Sequence, residues 1–245
     1  MKKLYRYLKE YQRKHFDLKL YLITALFIGV GVAFNYTLDF EDSYLDSLRG
    51  QFIYWPAMTG WMMLPFLSVV VILRLTGKVE NVFASKRFWL IALAGFIILG
   101  LDRSFTGYRV MASYLDTVDY RFFSKCANWS SSLLVNVIPL LLIYRIFESE
   151  RPRSYYGLSI QKTDFRPYFQ LLLIAMVIIG IGSFFSDIQS YYPRYAKSGG
   201  DKFAEVNELP VWVSVFIYEL CYGSDFVAVE LFFRGFLIHA YVKML

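Results

Sequence analysis

"VELFFRGF", residues 229–236, sets a glutamate and an arginine four residues apart inside an apolar run that extends from Val211 to the last residue, Leu245. Whether that run is a membrane helix decides the fold. With Leu209 included it has 37 residues, about 55 Å long as one straight helix. That exceeds a single perpendicular crossing of a hydrocarbon core about 30 Å thick. Gly223 and Ser224 offer a break, with Ser224 as the N-cap of a second helix that starts at Asp225.

Working outward, the chain is 57% hydrophobic with a mean hydropathy of +0.41, too apolar for an ordinary soluble domain of this length. Further apolar segments at 20–34, 55–73, 88–101, 129–147 and 169–185 approach the length of a crossing. The expected fold is all-α: a polytopic transmembrane helical bundle with six or seven membrane-embedded helices. Residues 1–19 form a basic N-terminal segment, and 20–245 form a single membrane domain with its core motif in 209–245.

Lys and Arg are uneven between the connections. Segments 1–19, 74–87 and 145–166 hold sixteen, whereas 36–50, 102–128 and 187–210 hold eight. The bias predicts a cytoplasmic N-terminus. The net charge of +6 flanks apolar spans, so anionic membrane lipids, and no nucleic acid, are the expected partners. The segment 148–168 is basic and tyrosine-rich and broken by prolines, which suits a cytoplasmic surface. No convincing cleavage site follows the first apolar run, so that run reads as an uncleaved helix.

Smaller features have structural readings. Ala25, Gly29 and Ala33 form a small-residue seam suited to close helix packing. Asn136 and Pro139 predict a kink in the fourth span, with the amide bonded to a neighbouring helix. Asp39, Glu41, Asp42 and Asp46 lack the glycine and closing glutamate of a calcium loop and read as a solvated turn. Cys126, in an outer connection, and Cys221 give no disulfide framework and no metal spacing.

Glu219, Asp225, Glu230 and Arg234 all fall in the last apolar stretch. A charge at the centre of a membrane helix costs about 2.5–3.5 kcal/mol on insertion scales, so such residues face a cavity, an interior or a partner. Glu230 and Arg234, at i and i+4, can reach each other. The pair either fixes helix register or marks a site in which Arg234 holds Glu230 ionised and oriented. Glu219 and Glu230 share a face only if the helix is unbroken, and then lie about 16 Å apart.

The motif of Glu230, Arg234 and Gly235 resembles the signature of the CPBP intramembrane proteases, named for CAAX prenyl proteases and bacteriocin-processing enzymes. "YYGL" at 155–158 resembles a short stretch found ahead of that family's core. The resemblance implies an endopeptidase in the bacterial cytoplasmic membrane, acting on peptide or membrane-associated protein substrates, prenylated ones included. A glutamate there activates water together with histidines of later helices, and a divalent metal such as zinc is an implied cofactor. Glu230 and Arg234 become the catalytic candidates, with Glu219, Asp225 and His239 as supporting residues.

Two departures stand out. Val229 replaces the family's first glutamate, and the only histidines are His15 and His239. The abrupt apolar ending "HAYVKML" suggests a longer parent protein carrying the missing histidines. The alternative is a degenerate, non-catalytic relative that binds a peptide or membrane-protein partner in the same cavity.

Overall fold

The computed structural model describes residues 2–80, 82–147, 156–157 and 164–241. All regular structure among them is helical, without a strand. A basic amphipathic helix, α1 (Lys2–His15), leads to Asp17. Asp17 takes an extended backbone and accepts a hydrogen bond from the Leu20 amide at 3.1 Å, so α2 (Leu18–Leu38) starts there. Its other carboxylate oxygen pairs with Lys78 Nζ at 2.6 Å, tying the head of α2 to the connection after the next helix.

The bond from Lys78, then that from the Leu20 amide, holds the Asp17 carboxyl below the usual carboxylate range. A depressed pKa contributes stability that is complete above the ordinary value, about 3.9, and disappears as pH falls through the lowered one. Hydrogen exchange at the first turn of α2, corrected for its intrinsic pH dependence, is therefore expected to accelerate only in acid. Asp17→Ala is expected to show the same acceleration at neutral pH.

The chain continues through α3 (Tyr54–Leu75), α4 (Lys86–Ser104) and the short α5 (Gly107–Ala112). Helix α6 (Thr117–Ser132) runs through a π turn, Leu133–Val137, into α7 (Ile138–Phe147). Among the described residues four helical runs are long and apolar enough to cross a membrane: Leu18–Leu38, Tyr54–Leu75, Lys86–Ala112 and Thr117–Ile146. A shorter apolar helix, α8 (Arg166–Gly182), precedes α9 (Ser186–Tyr191) and α10 (Gly200–Val206). The last run joins α11 (Val211–Glu230), a π turn (Leu231–Phe236) and α12 (Leu237–Tyr241). This is the fold of a membrane protein. Helices α2 and α8 bury no residue in the bundle, and most of their apolar side chains are exposed, as a lipid-facing helix requires.

Several expectations change. No break occurs at Gly223 and Ser224: α11 is unbroken there, and the Ser224 hydroxyl bonds back to the Cys221 carbonyl at 2.7 Å instead of capping a new helix. The connection 102–128 is largely helical, and Cys126 is a buried residue of α6, not part of a loop. The small-residue seam of α2 finds no partner among the described residues, with open space around Gly29. The acidic turn coils into a π turn, Phe40–Leu45, braced by bonds from Ser43 to Asp39 and from Arg49 to Asp46, as befits a solvated turn. Most of 148–163 lies outside the described residues, but Tyr156 is a core residue and not a surface one.

The main core is aromatic. Phe88 and Phe96 of α4 meet Phe232, Phe236 and Tyr241 of the last run, all essentially buried, with Leu140 of α7 beside them. Gly95 makes this possible, because a Cβ there would collide with the Phe236 ring. A second cluster, Phe122, Cys126, Phe203 and Tyr218, joins α6, α10 and α11. Within it the free thiols of Cys126 and Cys221 face each other. Mild oxidation is expected to link α6 to α11 within one chain, read by intact mass as the loss of a pair of hydrogens and prevented by Cys221→Ala.

Candidate functional site

The π turn at Leu231–Phe236 is what separates polar from apolar residues in the opening motif. Its wider coil, closed by the bond from the Leu237 amide to the Phe232 carbonyl, sends Leu231, Phe232, Gly235 and Phe236 into the core. Phe233 and Arg234 are left outside. Arg234 Nη1 pairs with Glu230 Oε2 at 3.0 Å, with side chains 79% and 52% exposed. The pair thus faces away from the bundle, and π turns of this kind recur at functional positions.

Gly235 is the contact point with the second stretch. A Cβ on it would lie 3.0 Å from Tyr156 Cβ and 3.4 Å from the Tyr156 carbonyl oxygen. Tyr156 is buried, donates its hydroxyl to the Leu140 carbonyl at 3.0 Å, and stands edge-on to Tyr144 and Phe236. Gly157 follows in the left-handed region at φ 84°, and the His239 imidazole lies over it in the space a side chain would occupy. Residues of 155–158 and of 229–239 therefore pack together, although Tyr155 and Leu158 lie outside the described residues.

The predicted site residues divide into groups. Glu230 and Arg234 are together. Glu219 is on the same face of the unbroken α11, about 16 Å away along the axis, too far to replace the missing carboxylate at Val229. His239 is engaged with Gly157 and supplies neither Glu230 nor Arg234 with a partner. Among the described residues no group of three or more His, Cys, Asp or Glu is placed to hold a metal. They do not fit the zinc site that the resemblance implies.

Asp225 belongs to a different constellation, which the sequence reading missed. It lies in the neighbourhood of Asp102 of α4, whose carboxylate is beside the Ser132 hydroxyl and the Asn136 amide. Asn136 sits in the π turn ahead of Pro139, 1% exposed, with its amide beside Asp102 of the neighbouring helix α4. Asp102 Oδ1 and Asn136 Oδ1 are both buried without a hydrogen-bond partner among the described residues. The signal was available: "LGLDRS" continues the helical run beyond Leu101, and a helix reaching Ser104 carries Asp102 inside.

Compared with models of known protein families, with curated proteins and with solved structures, the chain matches none.

Proposed function

We propose that this chain is a CPBP-like integral membrane protein that hydrolyses peptide bonds of membrane-associated substrates. Glu230 is the water-activating carboxylate and Arg234 the cation that orients it. The observation that carries the reading is the packing of Tyr156 and Gly157 on Gly235 and His239, which joins the two stretches bearing the resemblance and leaves the ion pair on the open side. A carboxylate so held can take a proton from water while the guanidinium faces the developing oxyanion. In this reading the four long apolar runs, α8 and the last run give six membrane-embedded helices, with the N-terminus cytoplasmic and the bacterial inner membrane as the location.

A second reading, a non-catalytic relative that retains a peptide or membrane protein at the same pair, is favoured by Val229 and by the absence of a histidine beside Glu230 among the described residues. Incubating the protein in lipid bilayers with membrane-anchored peptides, prenylated and not, separates the two. New peptide termini found by mass spectrometry support hydrolysis. Retention of intact peptide supports the binding module.

A further inference from the structure

The end of the bundle poorer in Lys and Arg holds a large open cavity that the Glu230 site does not use. It measures about 1040 Å³ and lies between the start of α3, the end of α4, α5 and α6. That is as large as cavities that hold whole small-molecule ligands, roughly 300–1,000 Å³. Eight Lys and Arg occupy the connections of this end, and five of them, Arg49, Arg103, Arg109, Lys125 and Arg194, line this one cavity. Topology does not account for that convergence, because the positive-inside bias places its cations at the other end.

The cavity's own carboxylates do not balance these charges. Asp46 is occupied by Arg49, at 2.8 Å, and Glu41 is the other lining acid. Among the described residues Arg103, Arg109, Lys125 and Arg194 form no ion pair. Arg194 is instead held by aromatic faces, 4.1 Å from the Tyr191 ring centre and 5.7 Å from that of Trp129. Like charges gathered in excess of their counter-charges repel and attract an anion, and guanidinium groups match the oxygens of a phosphate. Beside the polar Gln51, Ser104, Thr106 and Asn128, the wall has an apolar part on the same helices: Trp55, Met58 and Met62 of α3 and Leu101 of α4.

We propose that this cavity binds the phosphate-bearing headgroup of an amphiphile, with the cations on the phosphate and the chain against the Met58, Met62 and Leu101 wall. The site is separate from the Glu230–Arg234 pair and does not depend on the protease reading.

The test is native mass spectrometry of the protein released from bilayers of equal phosphatidylcholine and phosphatidylglycerol. The wild type is expected to retain phosphatidylglycerol selectively, Arg103→Gln with Arg109→Gln to lose at least about tenfold of it, and Lys202→Gln, outside the cavity, to behave as wild type. Equal retention of both lipids, or undiminished retention by the double variant, overturns the proposal. Should the double variant not elute as a folded species, salt decides on the wild type: stripping of phosphatidylglycerol as ionic strength rises supports the cation site, and unchanged retention overturns it. Inorganic pyrophosphate is the arm for a free phosphate. Displacement of lipid by it supports the phosphate contact, whereas its binding without selective lipid retention overturns the amphiphile.

Discussion

Glu230→Gln is expected to abolish cleavage of a membrane-anchored peptide while leaving the protein inserted and folded. Loss of general-base action alone removes about 10²–10⁴ in rate, and an amide of the same shape cannot take the proton from water. The folding side is mild, because the Glu230 side chain is half exposed and outside the core. The exchange also leaves Arg234 without its carboxylate, a cost about that of a charge facing lipid, roughly 2.5–3.5 kcal/mol at the bilayer centre and less near its rim. Arg234→Gln in the same chain relieves that cost, so the double variant is expected to insert as well as wild type and still cleave nothing. Peptide products are read by mass spectrometry and insertion by protease protection. Undiminished cleavage by the Glu230→Gln variant ends the catalytic assignment.

Phe236→Ala is expected to be the most damaging single change in the core, at about 3–5 kcal/mol. Phe236 is fully buried in the π turn, edge-on to Tyr156 and tilted on Phe232, with its ring over Gly95 of α4. Nothing nearby can collapse into the space, since the surrounding groups are rigid rings and helix backbone. The same residue holds Tyr156 against Gly235, so the variant is expected to unseat the neighbourhood of Arg234 as well. Thermal unfolding in detergent, read by tyrosine and tryptophan fluorescence, checks the first effect. Loss of the Glu230-dependent cleavage at temperatures below unfolding checks the second.

The sequence made the apolar spans legible because lipid-crossing length is a one-dimensional property, and each of the four long runs among the described residues overlaps one of the segments read from it. What it could not place were contacts that depend on the course of a helix. Gly223 and Ser224 resemble a break, yet serine satisfied by the preceding turn can stay inside a helix, and the tertiary contacts of Tyr218 and Ala228 on either side hold α11 continuous. Asp102 was lost by ending a helix at its last apolar residue. The burial of Tyr156 in a basic, proline-broken segment has no local signature, since it depends on Leu140 and Tyr144 of α7 and on Gly235 of the last run. Glu230 and Arg234 were readable for the opposite reason, being neighbours by helical spacing alone. The cation-lined cavity had no local signature, since Arg49, Arg103, Arg109, Lys125 and Arg194 are gathered from separate parts of the chain.

The most direct test of the central claim is cleavage in water labelled with heavy oxygen. Wild-type protein in bilayers, given a membrane-anchored peptide, is expected to place one heavy oxygen in each newly formed carboxyl terminus, and the Glu230→Gln variant to form no such terminus. A peptide held by both proteins yet unlabelled and intact would contradict hydrolysis by a Glu230-activated water and leave the pair as a binding element.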